Sequence, residues 1–116
     1  MSYKIAVASS DGKIVNQHFG KATQFLIFEM EENTYRFLEL LKTTPFCNNF
    51  EHNDNKLLSA VDALESCRAV VVSQIGNGAA EALRNKGIEP IDVHNFIEDA
   101  LRKLLKYYLN IDKSTS

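Results

Sequence analysis

Two short runs of apolar residues constrain the fold of this chain more than any other feature of its sequence. The first is Ile5-Ala6-Val7-Ala8, which ends at the polar turn Ser9-Ser10-Asp11-Gly12, and the second is Ala69-Val70-Val71-Val72. Uninterrupted apolar runs of this length are typical of β-strands that are buried on both faces. Helices must then cover both faces of the sheet, which predicts a three-layer α/β domain.

The other periodic segments predict three more strands and three helices. The strands are expected at residues 25–30, 35–41 and 88–93, and the helices at residues 53–66, 79–86 and 95–109. The first two of these strands form a β-hairpin through Glu31-Glu32-Asn33, with Phe25, Phe28, Tyr35 and Phe37 in the hairpin core. The apolar face of the last helix is expected to begin at Phe96 and to end at Leu109. With right-handed crossovers, this order predicts a five-stranded mixed sheet in the order 3-2-1-4-5, with strand 2 antiparallel, which is a ribonuclease-H-like arrangement.

The composition indicates one ordinary globular domain and disfavours several classes of protein. The chain has 116 residues with 13 basic and 15 acidic side chains, so its net charge of -2 gives no general attraction to nucleic acid or to an anionic membrane. It shows neither a signal peptide nor an apolar run of about 18 residues, and two cysteines are too few for a disulfide framework. We therefore expect a cytoplasmic protein, with one domain over residues 1–110 and a frayed C-terminal tail over residues 111–116.

Three loops with candidate ligands are predicted to meet at the sheet edge where strands 1 and 4 end. They carry His18, Cys47 and the helix-opening turn Gly76-Asn77-Gly78, whose backbone N–H groups favour anions. Each also has an ordinary interpretation: His18 as a solvated surface residue, Cys47 as a small packed residue, and the glycines as a tight turn. Cys67, at a junction between a helix and a strand, is predicted to be structural.

A ribonuclease-H-like sheet raises the question of nuclease activity. Two-metal phosphoryl transfer needs several carboxylates gathered at the ends of the strands. Strand 1 contains no acidic residue, Asp11 lies beyond its end, and strand 4 ends in Ser73-Gln74. The sequence therefore disfavours a nuclease, and no residue spacing supports a Ser-His-Asp triad or a zinc site.

Several segments resemble the dinitrogenase iron-molybdenum cofactor biosynthesis family, which includes NifX-like carriers and the C-terminal domain of the NifB cofactor-assembly enzyme. The most specific of them is Asn16-Gln17-His18-Phe19-Gly20, which follows the Ser10-Asp11-Gly12 turn. The similarity continues at Thr44-Pro45-Phe46-Cys47 and Ile75-Gly76-Asn77-Gly78-Ala79 and covers residues 3–109.

The resemblance implies a non-enzymatic carrier that binds an iron-sulfur or iron-molybdenum cluster precursor and passes it to cofactor-assembly or cluster-acceptor proteins. His18 falls on the motif histidine and Cys47 on the loop cysteine of nitrogenase-type members. A ferredoxin-type cluster needs about four thiolates, so a pre-assembled cluster held by one or two protein ligands suits a chain with two cysteines. We expect a monomer or a weak homodimer.

Two other functions remain open from the sequence. Gly76-Asn77-Gly78 could serve a nucleotide- or phosphate-binding domain, regulatory or enzymatic, although the turn lacks the lysine spacing of a P-loop. The chain could also be a stand-alone interaction domain that has lost its cargo. The N–H groups of the same turn would support an anionic cluster as well as a phosphate, so the turn alone does not separate these functions.

Overall fold

A computed structural model of the chain describes residues 2–43 and 54–114, which form a mixed sheet with helices on both faces. Its elements are β1 (Tyr3–Ala8), β2 (Gln24–Met30), β3 (Tyr35–Lys42), α1 (Asp54–Ala63), β4 (Cys67–Val72), α2 (Asn77–Asn85), β5 (Glu89–Asp92) and α3 (Ile97–Ser114). The five strands lie in the order β3-β2-β1-β4-β5. Strand β2 is antiparallel to both of its neighbours, whereas β4 is parallel to β1 and to β5. The predicted fold class, strand order and hairpin are confirmed.

The central strands β1 and β4 supply side chains to two separate cores. Successive residues of a strand point to opposite faces, so an uninterrupted apolar run feeds both of them. On one face, Ala6, Ala8, Val70 and Val72 pack with residues of α1 and α2. On the other, Ile5, Val7, Ala69 and Val71 pack with α3. The two apolar runs therefore lie in the middle of three layers.

The apolar stripe of α3 is buried as its 3.6-residue period predicts, except at its two ends, where Phe96 is exposed and Leu109 is partly buried. The buried residues are Ile97, Ala100, Leu101, Leu104, Leu105 and Tyr108. Phe96 was expected on this stripe, but it lies before the first turn and is 58% exposed. The Asn95 side chain accepts the Phe96 N–H at 2.8 Å, and the helix begins one residue later, so Phe96 leaves the buried face. Within residues 2–43 and 54–114, no helix is both long and apolar enough to cross a lipid bilayer.

The predicted frayed tail from Ile111 onwards is wrong as far as Ser114, because α3 continues to that residue. The last turn is held by Arg68, whose guanidinium donates to both carboxylate oxygens of Asp112 at 2.8 and 3.1 Å. This guanidinium, 3.9 Å from the ring centre of Tyr108, also holds the pKa of Asp112 below its ordinary value. The contact joins residues 44 positions apart, so the local apolar period could not reveal it.

Strand β3 carries another departure from the expected core, and α1 a further one, because Leu58 of its expected apolar face is 51% exposed. Phe37 was expected inside the hairpin, but it is 53% exposed even though its ring centre lies 5.8 Å from that of Phe28. The strand is the outer member of the sheet, so its side chains have strand neighbours on β2 alone among the described residues. An edge position therefore leaves an aromatic side chain partly in solvent.

Replacing either of two glycines at the ends of α2 by alanine should change the free energy of unfolding, in opposite directions. Gly87 follows the helix with φ of 78°, the left-handed conformation of a helix C-terminus, whereas Gly78 lies in the first turn without a positive φ. A Cβ at either position would meet no atom within 4 Å. We expect Gly87→Ala to lower the free energy of unfolding by about 1 kcal/mol or more, and Gly78→Ala to raise it by up to about 1 kcal/mol. Urea denaturation measures both, and a loss of similar size at Gly78 would contradict the backbone origin of the difference.

Candidate functional site

The loop that leaves β1 forms its own network of short hydrogen bonds. Ser9 is buried, and its Oγ accepts the N–H of Gly12 at 3.0 Å, where the backbone turns through φ of 76°. The Asp11 carboxylate accepts the N–H groups of Lys13 and Ile14 at 2.8 and 3.1 Å. These backbone donors hold the pKa of Asp11 below its ordinary value. The carboxylate of Asp11 thus stabilises the conformation of this loop.

Further contacts tie the far end of this loop to the rest of the edge. The Ser10 N–H donates to Asn16 Oδ1 at 3.0 Å, and the Asn16 amide donates back to Ser10 Oγ at 2.9 Å. The Val15 N–H donates to the carbonyl of Asn95 at 3.0 Å, in the segment before α3. These hydrogen bonds therefore hold the backbone in one position just before it reaches His18.

The backbone on either side of His18 is hydrogen-bonded to the exit of β4. The Ser73 N–H donates to the Gln17 carbonyl at 3.0 Å, and the Phe19 N–H donates to the Gln74 carbonyl at 2.9 Å. His18 directly precedes a single turn of 3₁₀ helix at Phe19–Lys21. Its own side chain is exposed. The fold thus fixes the backbone on both sides of an imidazole that faces solvent.

The side chain of Phe19 anchors the same segment in the hydrophobic core. It is 1% exposed, and its ring centre lies 5.7 Å from that of Phe25 in the core under α1 and α2. The sequence Gln17-His18-Phe19 therefore alternates a partly buried, an exposed and a buried residue. This alternation makes His18 the outward-pointing member of the motif.

The turn that opens α2 lies next to this segment. Gly76 is the N-cap with extended φ and ψ of -76° and 158°, and it supplies no capping side chain. Gly76, Asn77 and Gly78 are exposed, and the first turn contains no acidic residue. Because Gln74, which holds the His18 segment, lies two residues before Gly76, the two predicted segments lie at one edge of the sheet. Cys47, the third candidate, lies outside the described residues.

Gln17 and Gln74 also belong to the site, although their residue types predict no role there. Both hold the site through main-chain carbonyls, which leave no signature in the side-chain pattern. The Gln17 side chain adds a further feature: its Oε1 is buried and accepts no hydrogen bond within the described part of the chain. The sequence offers one signal for these two residues, which is their position: Gln17 is next to the candidate ligand His18, and Gln74 comes just before the glycine turn.

The protein ligands for a metal are few at this edge. Across residues 2–43 and 54–114, no three His, Cys, Asp or Glu side chains come together as a metal site. Cys67 is buried beside α1, and burial raises its pKa to about 11. Its thiol therefore stays protonated at neutral pH, as in a structural cysteine.

The opposite edge of the sheet carries a depression of about 790 Å³ whose lining includes Tyr3, Arg68 and Asp112. Two of its charged groups are engaged with one another, since Arg68 is paired with Asp112 and also lies 5.0 Å from the ring centre of Tyr3. Behind it, the Tyr108 hydroxyl donates to Glu89 at 2.6 Å, and burial together with this carboxylate raises the pKa of Tyr108. These contacts join α3 to β4 and β5, so this edge stabilises the fold.

Known proteins share both the sequence and the fold of this chain. The profile of the family described as dinitrogenase iron-molybdenum cofactor matches residues 1–107. The FeMo cofactor biosynthesis protein NifB of Frankia alni is 34% identical over 103 residues, which are 86% of this chain and 20% of that protein. Protein NifX of Azotobacter vinelandii is 32% identical over 90 residues, which are 78% of this chain and 56% of that protein.

A solved structure gives the same result for the fold. The apo form of the orange protein from Desulfovibrio gigas matches with a TM-score of 0.66 at 17% identity, over 89% of this chain and 87% of that one. The chain spans about a fifth of the length of the NifB relative and little more than half of NifX. Because the family profile covers nearly all of its residues, the chain belongs to the dinitrogenase iron-molybdenum cofactor family.

Proposed function

We propose that this chain is a non-enzymatic carrier that binds an iron-sulfur or iron-molybdenum cluster precursor at the His18 edge. By this name we mean the end of the sheet at which β1 and β4 terminate and at which His18 and the Gly76-Asn77-Gly78 turn lie. The observation that carries the proposal is the fixed backbone at Gln17 and Phe19 with the exposed imidazole of His18 between them. A ligand held in this way is positioned before the cargo arrives and is open to a second protein. Binding and transfer both need such access.

The chemistry of the edge suits a cluster that is already assembled. Such a cargo brings its own sulfides, so imidazole and thiolate serve as anchors and not as a complete ligand set. His18 supplies the first anchor and Cys47 the second in this proposal. The uncapped N–H groups at Gly76, Asn77 and Gly78 would stabilise an anionic cluster through the positive end of α2. A small number of anchors also permits release.

The relatives support a place in nitrogenase cofactor assembly. Their names describe FeMo cofactor biosynthesis for NifB and include NifX, and both align with most of this chain. The chain covers 20% of the NifB relative, so the proposal takes over the binding edge and not the activity of that whole protein. Cofactor-assembly or cluster-acceptor proteins are the partners that a carrier of this kind requires.

Replacing His18 tests the site directly. We expect the wild type to retain up to one cluster per chain after anaerobic incubation with an isolated iron-sulfur precursor and gel filtration. We expect His18→Ala to retain at least about tenfold less, because it removes one of very few anchors. Visible absorption and iron content measure retention. His94→Ala is the matched control, since His94 is also exposed and follows β5, and its retention should equal that of the wild type.

The stability of these variants separates a lost ligand from a lost fold. Because His18 is exposed, His18→Ala should change the free energy of unfolding by no more than about 0.5 kcal/mol. Equal retention by the wild type and by the double variant His18→Ala/Cys47→Ala would move the site elsewhere. No uptake by the wild type would contradict the carrier role and favour an interaction domain without cargo.

A nucleotide- or phosphate-binding domain is the alternative that the uncapped start of α2 favours. Ligand at a hundredfold excess over its Kd would stabilise such a domain by about 2.7 kcal/mol. A thermal-shift series with nucleotides and inorganic phosphate measures this directly. The carrier predicts no such stabilisation at these concentrations.

A further inference from the structure

The outer strand β3 presents an edge that the described residues leave unpaired. Its eight residues, Tyr35–Lys42, pair with β2 on one side, and no described strand pairs with the other. The strand contains no proline, and Phe37 and Leu40 are 53% and 45% exposed on it. An edge with free backbone donors and acceptors is a template for another strand. The side-chain pattern of β3 identifies which strand fits.

A β-bulge at Leu38 sets this pattern. Phe37 lies opposite Phe28 and Glu39 lies opposite Ile27, so Leu38 is the extra residue. Leu38 packs with the core under α1 and α2, and Glu39 lies opposite a residue of the same core. Two consecutive residues, Leu38 and Glu39, therefore occupy one face of the sheet.

The faces of the remaining residues are symmetric about this bulge. Phe37 and Leu40 both lie on the α3 face, opposite Phe28 and Leu26 of that core. The next pair outwards, Arg36 and Leu41, lies on the α1 and α2 face, and the last pair, Tyr35 and Lys42, lies on the α3 face again. Read from either end, β3 gives the same order of faces.

We propose that β3 pairs antiparallel with β3 of a second copy of this chain, about a two-fold axis between Leu38 and Glu39. Directly opposite residues of an antiparallel pair share a face. In this register Phe37 meets Leu40 of the second copy, and each of the other three pairs also joins residues of one face. A strictly alternating strand could do so only about an axis through a residue, so the bulge is what permits this axis. The result is one continuous sheet of ten strands.

The charges of the strand suit a second copy. No two like charges are directly opposite in this register, since Arg36 faces Leu41, Glu39 faces Leu38 and Lys42 faces Tyr35. The two Glu39 side chains lie one position apart on the same face beside the axis, so their mutual repulsion must be offset by a nearby cation. Arg36 is paired with Glu29 of its own chain at 2.7 Å. It also lies diagonal to Glu39 of the second copy on the same face, at about 7 to 8 Å between backbone positions, so its guanidinium can lie between the two carboxylates. Lys42 can reach the ring of Tyr35 in a cation–π contact. Each favourable contact occurs twice by symmetry.

The dimer would leave each binding edge independent. The His18 edge lies where β3 ends, at Lys42, because β1 and β3 run parallel on either side of β2. An antiparallel β3 pair places the two His18 edges at opposite ends of the ten-stranded sheet. Each copy therefore keeps its own cargo, and one chain carries up to one cluster.

Sedimentation velocity tests the association. We expect the wild type to show a concentration-dependent dimer between about 10 μM and about 1 mM, the range of a small interface. Phe37→Lys should raise the dissociation constant at least about tenfold, since each dimer contains the change twice. Leu58→Lys is the matched control because Leu58 is 51% exposed on α1, away from β3, and the dissociation constant should not change. A wild type that stays monomeric throughout, or equal weakening by both variants, would overturn the proposal.

Disulfide trapping tests the register without a charged substitution. In a Cys47→Ala background, Phe37→Cys chains and Leu40→Cys chains are mixed and treated with oxidised glutathione. Directly opposite residues have Cα atoms about 4.5 to 5.5 Å apart, within disulfide range. Position 37 of one copy lies three residues along the strand from position 37 of the other, about 10 Å away, and the same holds for position 40, so neither pair can form a bridge. We expect a cross-linked dimer in the mixture and little in either chain alone, and equal cross-linking in the unmixed chains would overturn the register.

Discussion

Phe19→Ala is expected to lower the free energy of unfolding by about 3 to 5 kcal/mol. The Phe19 side chain is fully buried against Phe25 in the core that β1 and β4 share with α1 and α2. Truncation removes this apolar contact area and leaves a cavity that the surrounding strands cannot close. Urea denaturation followed by circular dichroism measures the loss.

Phe96→Ala is the matched control for this variant. Phe96 is the same residue type, but it is mostly exposed, so its replacement should cost less than about 1 kcal/mol. The Phe19 variant should also retain less cluster, because Phe19 anchors the backbone next to His18. Similar stability losses in the two variants would show that Phe19 does not anchor the segment as its burial indicates.

Leu101→Ala is the second large loss that we expect, at about 2 to 5 kcal/mol. Leu101 is 0% exposed on α3 and belongs to the core on the other face of the sheet. Leu58→Ala on the exposed side of α1 is the control and should change the free energy of unfolding by no more than about 1 kcal/mol. Cluster retention by folded Leu101→Ala protein should match the wild type, since this core lies under the opposite face from Phe19.

The two core variants should be additive because the sheet separates their sites. Residues without shared partners usually add within about 0.5 kcal/mol. Their summed loss of about 5 to 10 kcal/mol is as large as the whole stability of many domains, which is about 5 to 15 kcal/mol. The double variant should therefore be largely unfolded at moderate temperature, and a double loss well below the sum would indicate that the two cores are coupled.

The sequence was sufficient for the strand order because each step rested on a local pattern. The runs at residues 5–8 and 69–72 could be buried only in the middle of three layers, and the apolar period of α3 placed Leu101 correctly. The predictions that were wrong concern features that depend on tertiary contacts. The last turn of α3 needs Arg68 from β4, and the exposure of Phe37 follows from an outer strand that the hairpin pattern does not distinguish.

The candidate site likewise has a part that the sequence predicts and a part that it does not. The placement of His18 beside the turn that opens α2 followed from topology, because the carboxyl ends of β1 and β4 share an edge. The hydrogen bonds that hold it there use the carbonyls of Gln17 and Gln74 and could not be inferred from residue types. The binding roles of His18, Cys47 and the Gly76-Asn77-Gly78 turn stay predictions.

The main-chain hydrogen bonds that hold the His18 segment also determine how this edge can diverge among related chains. The donors are the N–H groups of Phe19 and Ser73, so proline is the one residue type that would remove a bond at either position. Any side chain at position 74 leaves its carbonyl in place. The shape of the edge thus depends on the path of the backbone and not on the side chain at residue 18. If residue 18 binds the cargo, as we propose, a ligand of different softness at this one position would change the cargo while the hydrogen bonds around it persist.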